Sequence, residues 1–100
     1  MKEQEEFVKA AVKSLHEGNP GYNVLIYHNQ DSRYELSSDA VHDHYELPTL
    51  LGFTKGYEIF VFTSGSFDLA GDRGPSNWDF TRGCIKHNGK HVDFGDLKIN

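Results

Sequence analysis

The chain has one cysteine, three prolines, no long apolar run and no basic cluster, and each shortage removes a class of explanation. A lone Cys84 cannot close an internal disulfide, which points to a reducing, cytoplasmic compartment. No apolar stretch approaches the roughly 18 residues that a membrane helix requires. The acidic start Met1-Lys2-Glu3-Gln4-Glu5-Glu6 is not a secretory leader, so no membrane partner is expected. Ten Lys and Arg lie scattered among fifteen Asp and Glu, giving a formal charge of −5. Nucleic acid is therefore not an expected partner, because phosphate backbones are held by clustered cations. Phosphate-binding and dinucleotide glycine patterns are missing, and so is a Gly-x-Ser-x-Gly elbow. The glycines mark turns instead.

Aromatic rings and histidines are what the chain has in quantity. Thirteen aromatics let one domain of 100 residues bury a core that its 37% apolar content alone would leave thin. Six histidines would, on protonation below about pH 6.5, remove much of the negative charge.

The spacing of Phe7, Ala11 and Leu15, with Val8 and Val12 beside them, predicts an amphipathic helix over 3–17. Acidic residues open it and Lys9, Lys13 and His16 follow, in keeping with the helix dipole. Gly18 is expected to supply a left-handed stop, and Pro20 bars continuation. From Tyr22 onward the chain reads as strands over 22–99. Val24-Leu25-Ile26-Tyr27 is apolar on both faces and predicts a central strand covered on two sides. A turn over 29–32 precedes a short strand at 33–36. Val41 to Leu47 alternates, with His42, His44 and Glu46 on one face, and Pro48 ends it. The connection 49–55 carries Leu50, Leu51 and Phe53 and is expected to tuck against the core.

Tyr57 to Thr63 is the strongest strand signal. Ser64-Gly65 reads as a tight hairpin turn that sets Phe62 opposite Phe67 and Phe60 opposite Leu69, all on one apolar face. After the polar loop 71–77, Trp78-Asp79-Phe80 resumes a strand. Asn88-Gly89 then predicts a two-residue hairpin with Ile85 opposite Val92 and Cys84 opposite Asp93. Leu97 and Ile99 offer one more edge pairing. The fold class is α+β: mainly antiparallel β, a sandwich or partial barrel, with one N-terminal helix.

Two patches could carry chemistry. The leading one is the loop around Trp78, where Asp72, Arg73, Asn77 and Asp79 surround the only tryptophan. A flat ring flanked by hydrogen-bonding groups suits a sugar or another small polar ligand; the plainer alternative is a core tryptophan beside a connecting loop. Asp68, Asp72, Asn77 and Asp79 offer hard oxygens for calcium, without an EF-hand spacing. The second patch is His42, His44 and Glu46, which alternate on one strand face and could meet a divalent metal as in small β-barrel metalloenzymes. His87 or His91 could add a ligand; the plainer alternative is a solvated strand face. Cys84 with His87 or His91 would make a nucleophilic thiol only with a lowered pKa, which an opposing Asp93 would raise. The functional expectation is a small soluble binding protein acting through the Trp78 loop. The alternatives are a metal-dependent enzyme and an interaction domain that associates through exposed strand edges.

Overall fold

The computed structural model describes residues 2–28 and 30–98. Asn29 of the expected turn and the edge pairing expected of Ile99 lie outside them. Helix α1 spans Lys2–Gly18 and presents Val8 and Val12 as its buried stripe. Its end differs from expectation, since Gly18 stays helical and does not take a left-handed conformation. Asn19 closes the helix instead: its N–H donates to His16 O at 3.1 Å and its Nδ2 to Leu15 O at 2.9 Å. The last-turn carbonyls thereby find partners without a change of backbone hand.

Eight strands follow among the described residues: β1 Asn23–His28, β2 Arg33–Leu36, β3 Val41–Pro48, β4 Thr54–Phe62, β5 Gly65–Asp68, β6 Trp78–Phe80, β7 Ile85–Asn88 and β8 His91–Phe94. They form two four-stranded antiparallel sheets, ordered β3-β4-β1-β6 and β2-β5-β8-β7. The fold is thus α+β with a sandwich of two sheets, and no barrel closes. Alternation along β1 divides its side chains between two cores. Leu25 and Tyr27 join Phe60, Phe62, Phe67, Trp78, Phe80, Val92 and Phe94 between the sheets. Val24 and Ile26 meet Val8, Val12 and Tyr57 under the helix. The expectation of a central strand covered on both faces is met.

Three local expectations fail, each for a visible reason. Ser64-Gly65 is not a hairpin turn. It carries the chain from the first sheet to the second, where β5 pairs with β2 and β8 rather than with β4. Gly65 is required there because its φ is 145° and a Cβ would lie 2.3 Å from Glu35 O of β2. The four aromatic and aliphatic side chains still share one apolar space, because the crossing preserves their facing. In the final hairpin Asn88 belongs to the strand and pairs with His91, so Gly89-Lys90 is the turn. Gly89 has φ 60° and among the described residues no non-glycine has positive φ, which matches a turn with glycine at its first central position and not an Asn-Gly turn. Ile85 consequently faces Phe94, and Lys86 rather than Cys84 faces Asp93. Finally, residues 49–53 do not tuck inward. They form the tip of the β3–β4 hairpin, closed by Thr49 N–H and Oγ1 donating to Phe53 O at 2.8 and 2.9 Å. The turn closes on itself, and Leu50, Leu51 and Phe53 point outward.

One buried polar residue pins an end of the sandwich. Asn23, fully buried, donates through Nδ2 to Thr63 O and Gly95 O and accepts from Thr81 Oγ1, all at 2.9 Å. The chain segments after β4, β6 and β8 meet on this single amide, with all its groups satisfied as burial demands.

Candidate functional site

The two patches lie on opposite edges of the first sheet, β6 at one and β3 at the other. At the β6 edge the alternation of a strand separates neighbours in sequence. Trp78 and Phe80 turn into the space between the sheets, and Asp79, opposite Ile26, turns toward the helix. Trp78 is only 7% exposed. Its ring sits among Phe80, His87 and Phe67 at centroid distances of 5.0, 5.7 and 6.0 Å. Its indole N–H donates to Arg73 O at 3.1 Å. The ring is a wall of the core and not the open platform that stacking a sugar needs.

The polar loop before it is latched from several sides. Tyr57 OH donates to Ser76 O at 2.7 Å, and burial pushes that phenol up to about 12. Lys55 Nζ donates to Ser76 O, Asn77 Oδ1 and Gln4 Oε1, and burial lowers its pKa. Asn77 O also accepts from His28 N at 2.7 Å. Asn77 is therefore spent on holding the loop, and Asp72 Oδ1 accepts from Gly74 N within it.

Beside the latched loop a cleft of about 210 Å³ runs along β6. Arg73, Trp78 and Asp79 line it, whereas Asp72 and Asn77 do not. Three further chemical groups come from elsewhere in the chain: Lys9 from the helix, Arg82 after β6, and His87 from β7. Arg82 pairs with Asp79 at 2.7 Å and lies 4.4 Å above the Phe80 ring. Lys9 pairs with Glu5 at 2.8 Å. Arg73 makes no ion pair among the described residues, and its guanidinium approaches Gly89. Of the three lining cations, Lys9 and Arg82 are thus already paired, and Arg73 is the one left without an ion-pair partner among the described residues. Lys9, Arg82 and His87 were missed in the sequence because only the packing of helix and β7 against β6 assembles them.

At the β3 edge, His42, His44 and Glu46 do share a face, joined by Glu58, which β4 places directly opposite His44. Glu58 bridges the two imidazoles, 2.5 Å from His42 Nε2 and 2.5 Å from His44 Nδ1. His44 Nε2 meets Glu46, whose other oxygen accepts from Thr54 Oγ1 at 2.6 Å. The carboxylates of Glu46 and Glu58 raise the His44 pKa, and Thr54 and His44 lower that of Glu46. His42 also stacks on Phe60 at 4.4 Å. The imidazole nitrogens are turned to carboxylates, and among the described residues no group of three or more His, Cys, Asp or Glu is placed to hold a metal ion. Recognising residues 49–53 as a hairpin tip would have fixed the β3–β4 register and found Glu58.

The remaining candidates are dispersed. Asp68 and Asp93 flank His91 at 2.7 and 3.0 Å and raise its pKa, and Asp68 lies on β5 of the second sheet whereas Asp79 lies on β6 of the first. His87 packs edge-on against Phe80 as well as Trp78, and His91 is engaged by its carboxylates, so each imidazole has partners other than the Cys84 thiol. No helix among the described residues is long and apolar enough to cross a membrane. No family model, curated protein or solved structure matched the chain.

Proposed function

We propose that this protein is a small binding module that takes a compact anion with a flat or apolar body in the cleft along β6. The carrying observation is Arg73, a guanidinium without an ion-pair partner among the described residues, at a cleft shared with Lys9, Arg82, Trp78 and Phe80. Guanidinium groups bind phosphate and carboxylate in bidentate fashion, and the aromatic wall beside them lowers the local dielectric, which strengthens that contact. The volume suits a small molecule rather than a polymer. The latched loop holds Arg73 before any ligand arrives, so little ordering cost falls on binding. A neutral sugar fits less well, because Trp78 is too buried to offer a ring face for stacking.

The test is Trp78 fluorescence titrated with glucose 6-phosphate, inorganic phosphate, benzoate and glucose. Saturable responses to the anions and none to glucose support the reading, and the anion that binds tightest separates phosphate from carboxylate recognition. Arg73→Ala should leave the unfolding midpoint unchanged and weaken anion binding about tenfold or more, the loss of one charge-assisted contact. Equal binding of glucose and its phosphate, or undiminished binding by Arg73→Ala, would reject it.

A further inference from the structure

Five of the six exposed large apolar side chains among the described residues sit on one hairpin, β3–β4: Val41, Tyr45, Leu50, Leu51 and Phe53. The three at the tip are 84%, 82% and 72% exposed. Scattered exposed apolars need no explanation, but a concentration of this kind marks a contact surface. Against the tip lies a groove of about 310 Å³, walled by Leu47, Pro48, Thr49 and Leu50 of the hairpin and by Glu3 and Gln4 of the helix.

We infer that this hairpin is the face through which two copies of the chain associate. A projecting apolar knob and an apolar hollow adjoin on one surface, so a twofold rotation seats each tip in the other copy's groove, the self-complementarity that an isologous contact requires. The tip side chains expose on the order of 400 Å² per copy, and the groove walls with Tyr45 bring the contact toward the roughly 600 Å² per partner of a small specific interface. Leu47 to Thr54 contains no charged residue, so the tips themselves bring no like charge together, and Glu3 is the one carboxylate on the groove wall. The same lack of Lys and Arg argues against an anionic bilayer, which attracts basic segments. Side-chain packing rather than strand pairing is the mode. Asp43 Oδ1 already accepts from the His44 N–H at 2.8 Å, and Pro48 has no N–H to give, so the β3 edge is blunted against pairing.

Sedimentation equilibrium of the full chain, from about 1 µM to about 500 µM, reads the association directly. The expected result is a reversible dimer whose dissociation constant rises at least tenfold in Leu50→Ser/Leu51→Ser and in Phe53→Ser, with unchanged circular dichroism. Tyr34→Ser, exposed on another strand, should leave it unchanged. A chain that stays monomeric across this range overturns the inference, and if that monomer floats with phosphatidylcholine vesicles the tip is a membrane contact instead. A dimer indifferent to the tip substitutions overturns it equally.

Discussion

The two edges of the first sheet are made from one fold by opposite means. β6 is three residues long, and two of the three are core aromatics; β7 leans over it through His87, and the loop before it is tied by Tyr57, Lys55 and Trp78. β3 is eight residues long and almost wholly exposed, and its charges answer one another through Glu58 and Glu46. The embedded edge holds one cation, Arg73, without an ion-pair partner among the described residues, whereas the exposed edge sets its histidines against Glu58 and Glu46. A short strand fixed in the core can hold unpaired charge in place without disturbing stability, which is what a prepared binding site needs.

Replacing one apolar side chain on each edge should break this symmetry most visibly. Phe80→Ala removes a ring that is 2% exposed and should cost about 3–5 kcal/mol in urea denaturation. Val41→Ala, at a position 66% exposed, should stay within about 0.5 kcal/mol. Similar costs at both would mean that β6 is not the embedded edge. A smaller effect is expected from Tyr57→Phe, which deletes only the hydroxyl that reaches Ser76 O. It should cost about 1–2 kcal/mol and speed amide exchange at Asn77 more than in β3. Uniform exchange would show that the loop is not latched there.

The smallest effect belongs to pH. His44 and His91 are held protonated above their ordinary 6.5 by facing carboxylates, so they add stability below that value and lose it as pH rises through their raised pKa values. Glu46 and Asp39 are held below their ordinary 4.5 and 3.8, Asp39 by the Ser37 and Thr63 hydroxyls; they add stability above those values and lose it as pH falls through their lowered pKa values. The urea midpoint should therefore be somewhat higher near about pH 5.5 than near about pH 8, with a modest difference because these groups are exposed. A midpoint higher at the alkaline end would contradict the network on β3.

Helix α1, the double covering of β1 and the inward set Phe60, Phe62 and Val92 were legible because hydrophobic periodicity reports which face of an element is buried. Which strands share a sheet was not, because Ser-Gly is an equally good signal for a hairpin and for a crossing, and only the approach of β2 to Gly65 decides between them. The same limit applied to the sites. Strand alternation correctly joined His42, His44 and Glu46, which are close in sequence. It could not supply Glu58, Lys9 or Arg82, which arrive by pairing and packing, nor could it show that Asn77 is consumed by Lys55.

The most direct test of the anion cleft is a ¹⁵N-resolved titration that follows the Trp78 indole N–H and the Arg73 and Arg82 side-chain N–H signals while glucose 6-phosphate is added. The expected result is saturable shifts at these three groups and at His87, with His42, His44 and Leu51 unmoved. Silence at all of them up to about 10 mM, or shifts centred on His44 and Glu58, would contradict a binding site on the embedded edge.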